Sequence, residues 1–237
     1  MTMPENAVRR ALRNPAPSAS ALERTSDFSG LLTVACCVLL MVSTGCALTS
    51  KAEVLTPRYF SPEPVTAAHS PKVTDILELR LGQVSAASHL DERIAYRVGG
   101  AEMGFYEDQR WTENPEAYLR RALERDLFEE RGLSRIVAGG TPILDIELTA
   151  FEELRGKPAK ARVAVTFSLR DDRRSVVERT LDLERPIVQR AGADAAQLLA
   201  ETLTRTLNEA VRLVGDELVV HLRTERSASL ASQRNGN

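Results

Sequence analysis

The last third of the chain sets the strongest constraint on its fold. Apolar residues recur at Ala196, Leu199, Leu203, Leu207, Ala210, Val214 and Leu218, three or four positions apart. That spacing predicts one helix with a continuous apolar stripe about 33 Å long. Such a stripe needs a flat apolar surface to lie on, and the residues before it supply one. Leu144, Ile146, Leu148 and Ala150 alternate with Asp145, Glu147 and Thr149, while Ala161, Val163, Val165, Phe167 and Leu169 alternate with Arg162, Thr166, Ser168 and Arg170. Val177, Leu181 and Leu183 mark a third strand after a turn at 171–174. A period of two buries one face of each strand and leaves the other polar.

Upstream the pattern is shorter but similar. Leu77, Leu79 and Leu81 read as a strand, and Ile94 to Val98 pairs back on Gly104 to Trp111 across Gly99-Gly100. Asn114-Pro115-Glu116 starts a helix, with Asn as N-cap, Pro at the first helical position and an acid in the first turn. Tyr118, Leu119, Ala122, Leu123 and Leu127 form its stripe, and Gly132 suits its end. The expected class is α+β: a mixed, largely antiparallel sheet of five to six strands with two main helices packed on it. The alternative is a three-layer α/β sandwich.

Near the start, the apolar run from Leu31 to Met41 leads into Val42-Ser43-Thr44-Gly45-Cys46. An apolar stretch of that length with small residues after it describes a secretory signal rather than a membrane span. The last five residues resemble the lipobox of bacterial lipoproteins, where the signal is cut before the cysteine and the thiol is diacylated. Cys46 is accordingly the expected lipidation site. A single acyl chain binds a bilayer only marginally, whereas two or three hold a protein there. Ala47, in place of the Asp that commonly retains such proteins at the inner membrane, points to the outer membrane, facing the periplasm. The chain then divides into a signal peptide at 1–45, a lipid-anchored Pro-rich linker at 46–73, a folded domain at 74–222 and a disordered tail at 223–237. The linker reads as an extended tether with a reach of about 60 Å.

A formal charge of −2 with no basic block argues against a nucleic-acid partner. Of the three cysteines, Cys36 and Cys37 leave with the signal and Cys46 takes the lipid, so the folded part has no thiol. His69, His89 and His221 have no metal-ligand spacing. Glu152-Glu153 are neighbours in a strand and point to opposite faces, and Asp171-Asp172 sit in a turn. No nucleophile elbow or phosphate loop is present. The residues therefore nominate no catalytic group, no metal and no cofactor. Trp111, the only tryptophan, is a candidate either for anchoring the first helix on the sheet or for a partner contact.

The order of parts is similar to a known family. Tyr59-Phe60-Ser61-Pro62, Leu81-Gly82-Gln83-Val84, Leu90-Asp91-Glu92-Arg93-Ile94, Trp111-Thr112-Glu113-Asn114-Pro115 and Leu119-Arg120-Arg121-Ala122-Leu123 follow one another. Together they resemble the ABC-type transport auxiliary lipoproteins, the paraquat-inducible protein C group. Gln83 and Ile94 depart from prolines usual in that family. The resemblance implies a non-enzymatic outer-membrane lipoprotein, self-associating and working with a mammalian-cell-entry (MCE) protein and an inner-membrane ABC transporter to move lipids. A free-standing lipoprotein of envelope assembly, with a protein or peptidoglycan partner, is the alternative.

Overall fold

The computed structural model describes residues 55–62, 77–138, 142–171 and 174–235. Cys46, the signal segment and His69 lie outside these residues. In chain order the elements are β1 (Arg58–Phe60), β2 (Glu78–Ala86), β3 (Arg93–Val98), β4 (Glu102–Trp111), α1 (Pro115–Glu124), β5 (Ser134–Arg135), β6 (Ile143–Arg155), β7 (Lys160–Asp171), β8 (Arg174–Pro186) and α2 (Ala195–Asn235). A π-helical turn, Arg125–Glu130, continues α1.

β6 is the spine of an eight-stranded mixed sheet. Along one edge it pairs antiparallel with β7 over its whole length, and β7 carries β8 the same way. Along its other edge two strands share it end to end. β2 runs parallel to its first half, from Arg80↔Ile143 to Ala86↔Leu148, and β3 runs parallel to its second half, from Ala95↔Glu152 to Val98↔Arg155. Residues 87–92 step out of the sheet between them, and the Ala87 amide still bonds to the Leu148 carbonyl at 2.9 Å. The register of β6 shifts between Leu148 and Ala150, where one neighbour is exchanged for the other. A bulge bends a strand and raises its twist, which suits a fork in the sheet. β4 and then β1 continue outward from β3, and β5 continues from β2.

The fold class is α+β as expected, with eight strands rather than five to six. The two additional strands are β1 and β5, of three and two residues, too short to show a period. Both helices pack on the same face of the sheet, giving two layers rather than three among the described residues. Leu79, Leu144, Ile146, Leu148, Phe151, Val163, Val165 and Phe167 meet Leu119, Leu123, Leu127, Leu203, Leu207 and Val214 in one core. All seven stripe residues of α2 are buried. Burying one such Leu or Val side chain contributes about 1.5–3 kcal/mol, so the stripe accounts for much of the docking of α2.

Two boundaries differ from the sequence reading. Residues 58–60 lie within the expected linker yet form β1, with Phe60 opposite Trp111, and Pro62 is buried. Phe60 finds an apolar partner there that local composition does not reveal. The segment expected to be a disordered tail is helical through Asn235, exposed from Arg223 onward. Extending a helix already nucleated and packed costs little, so α2 outruns its stripe.

Candidate functional site

Trp111 ends β4 and stands where the chain turns toward α1. It is 1 % exposed, its ring 4.9 Å from Phe151 and edge-on to Tyr118 at 6.1 Å. Its amide donates to the Glu92 carbonyl at 2.6 Å. The Tyr118 hydroxyl accepts from the Glu113 amide at 2.9 Å and bonds Thr112 Oγ1 at 2.8 Å. The only tryptophan is thus packed in the core between sheet and helix.

The polar face of the sheet carries the principal electrostatic feature. Register places Arg97, Glu152 and Arg162 on the side away from the helices, on β3, β6 and β7. Glu152, fully buried, accepts two hydrogen bonds from Arg97, at 2.9 and 3.1 Å, and one from Arg162 Nη1 at 3.1 Å. Arg162 also grips Asp182 on β8 at 2.6–3.3 Å, and this pairing raises the guanidinium pKa. The result is a row Arg97–Glu152–Arg162–Asp182 crossing four strands. A buried carboxylate with both oxygens engaged by arginines is a structural tie, since its charge is neutralised in place. Sequence reasoning missed this row because its members lie 55, 10 and 20 residues apart.

Glu153, on the opposite face, accepts from the Tyr106 hydroxyl and lies 3.4 Å from Arg155 Nε. Arg155 covers the Tyr96 ring at 3.3 Å, and Tyr96 meets Tyr106 edge-on at 5.3 Å. Gly104 opposes Tyr96 in the hairpin, and a Cβ there would lie 2.5 Å from the ring. Burial first, then the Glu153 carboxylate, raise the Tyr106 pKa. Further along the polar face, burial pushes Asp145 upward. Hydrogen bonds from Arg170 and the Gln83 amide outweigh it and leave this carboxyl below its ordinary pKa.

Two open clefts flank α2. One, about 610 Å³, lies between Tyr59, Phe60 and Ser61 and the first turns of α2, at Gln197, Ala200 and Thr204. The other, about 490 Å³, lies toward its far end, among Leu77, Leu169, Val176, Leu222 and Glu225. His221 borders the second, its Nε2 buried without a hydrogen-bond partner and 3.9 Å from Glu225. His89 Nε2, in the step between β2 and β3, is likewise buried without a partner. Among the described residues no cluster of three or more His, Cys, Asp or Glu has the form of a metal site, and no helix is long and apolar enough to cross a membrane.

The family model of the ABC-type transport auxiliary lipoprotein component matches residues 60–211, from β1 into the middle of α2. The chain belongs to this family. Its members are auxiliary to transport, which implies a non-enzymatic part, and the match makes this chain a lipoprotein component of that kind. Two crystal structures share the fold. One, from Xanthomonas campestris and assigned to the DUF330 family, is 20% identical, with a TM-score of 0.58, covering 71% of this chain and 99% of its own. The other, an uncharacterized protein, is 14% identical, with a TM-score of 0.55, covering 69% of this chain and 99% of its own. No curated protein gives a significant sequence match.

Proposed function

We propose that this protein is a non-catalytic subunit of an ABC-type intermembrane lipid transport system. It is anchored in the outer membrane through acylated Cys46, faces the periplasm and docks a periplasmic MCE-domain partner, in more than one copy. The family match over residues 60–211 carries this reading. The apolar run and Thr44-Gly45-Cys46 support the anchor. β1 begins at Arg58, inside the residues expected to form the tether.

The test has two parts. Mass spectrometry of membrane-extracted protein is expected to find residues 1–45 absent and Cys46 acylated, and Cys46→Ala to leave the chain uncleaved or unanchored. An MCE-domain protein from the same cell is expected to co-purify with the lipidated protein from mild detergent. Unmodified Cys46 in membrane extracts refutes the anchor. Failure to retain any MCE-domain protein, with the domain folded and monomeric, refutes the transport role in favour of a free-standing lipoprotein.

A further inference from the structure

α2 is longer than the surface it packs on, and a cavity lies where its buried stripe runs out. The stripe is covered as far as Leu222, and from Arg223 the helix is exposed. There α2, the start of β2, the end of β7 and the start of β8 enclose an open cavity of about 490 Å³. The nearly buried Leu77, Leu169 and Leu222, with the half-buried Val176, give it an apolar wall. Glu78 of β2 stands on its rim, as do His221 and Glu225, one turn apart on α2. Asp171 and Arg226 also line it and already have partners. Glu78 and Glu225 are therefore the charges that a ligand would meet.

His221 defines what that ligand must be. Its Nε2 is buried without a hydrogen-bond partner, 3.9 Å from Glu225 Oε1. Buried polar atoms are nearly always bonded, so an orphan nitrogen beside a cavity calls for a group from outside the chain. At 3.9 Å the two atoms are too far apart to bond each other. One ammonium nitrogen can stand about 2.8–2.9 Å from both, donating to the imidazole and to the carboxylate. Glu225 is 64% exposed, so its side chain turns readily to admit such a head group. A carboxylate or phosphate head would instead meet two acids. We infer that this cavity is a binding site for a small cationic amphiphile, a primary amine carrying an alkyl chain. Glu225 and His221 hold the ammonium, Glu78 adds negative charge, and the chain lies on the leucines. The cleft at the other end of α2 offers no such set, since Glu201 there is engaged by Gln197 and Arg190. The site does not depend on any protein partner.

The probe is octylammonium, added to the full lipidated protein in phosphatidylcholine nanodiscs. Hydrogen exchange read by mass spectrometry is expected to slow over 218–229, because exposed helical turns open readily until something holds them. Octanoate and octanol, which carry the same chain, are expected to bind roughly tenfold more weakly. Glu225→Gln, and His221→Phe, which keeps a ring but no nitrogen, are each expected to weaken octylammonium binding roughly tenfold with melting unchanged. Equal binding of octanoate overturns the inference. So does protection centred on 197–205, at the other cleft, or undiminished binding by a variant combining Glu78→Gln and Glu225→Gln. A final arm identifies the source of the amine, using phosphatidylethanolamine nanodiscs without octylammonium. Slowed exchange over 218–229 in those discs supports the site with a lipid head group as its occupant. Unchanged exchange there, beside binding of octylammonium, supports it with a free amine.

Discussion

Replacing Glu152 by Ala removes the centre of the row Arg97–Glu152–Arg162–Asp182. The carboxylate accepts three charge-assisted hydrogen bonds, and its side chain is completely buried, so no water is at hand to replace it. Breaking a buried ion pair by removing one member typically costs about 3–5 kcal/mol. The two orphaned guanidinium groups keep 22% and 28% exposure, and Arg162 keeps Asp182, so both can be partly rehydrated or re-paired. The cost of Glu152→Ala should therefore fall near the lower end, about 3 kcal/mol. Arg97→Ala should cost less, because Glu152 retains Arg162. Replacing the three together by Leu at 152 and Met at 97 and 162 should recover most of the loss, because apolar residues carry no desolvation penalty. Urea unfolding followed through Trp111, the only tryptophan, measures all four proteins on one scale. A change below about 1 kcal/mol for Glu152→Ala, or a triple variant no more stable than the single, would refute the view that the row is a buried electrostatic tie.

Three other outcomes are expected. Trp111→Ala should lower stability by about 3–5 kcal/mol through the cavity left against Phe151 and Tyr118, measured by circular dichroism on urea titration. Gly104→Ala should cost about 1–3 kcal/mol by driving a methyl into the Tyr96 ring, and much less in a Tyr96→Ala background; an equal cost in both would refute the contact. Asp145 sits below its ordinary pKa of 3.8, so its stabilisation is complete above that value and lost as pH falls through its folded-state value. Asp145→Asn should therefore be less stable than the parent at neutral pH. The gap should close in acid below about pH 4, and melting curves across pH that keep a constant gap would contradict this.

The two helices and the three long strands after α1 were legible because each buries one face over many residues, so 3.6-residue and two-residue periods survive in the sequence. Leu199, Leu203 and Val214, or Val163, Val165 and Phe167, announce their faces without knowledge of what they touch. β1 was not legible. Arg58-Tyr59-Phe60 is too short for a period, and it is a strand only because β4 offers an edge that ends in Trp111. The polar face was legible as polar and no further. Glu152 and Glu153 were rightly sent to opposite faces by strand geometry, but the arginines that meet them lie on other strands. Side-chain pairing across a sheet follows register, and register here depends on the fork at β6, which no local pattern encodes.

The proposed anchor would also make β1 the first strand of the domain to meet mechanical load. Under the proposed anchor at Cys46, a pull on the chain would reach β1 first, at Arg58, which is tied to Asp194 at the head of α2. β1 runs parallel to β4, with its three residues in register on Gln109, Arg110 and Trp111. Force along the strand axis strains those pairings together, as a shear clamp, instead of parting them singly as a zipper. The clamp ends beside Trp111, so tension that released it would loosen the packing of Trp111 on Phe151 and Tyr118. A pull on the proposed anchor would then be resisted up to a threshold set by three residue pairings.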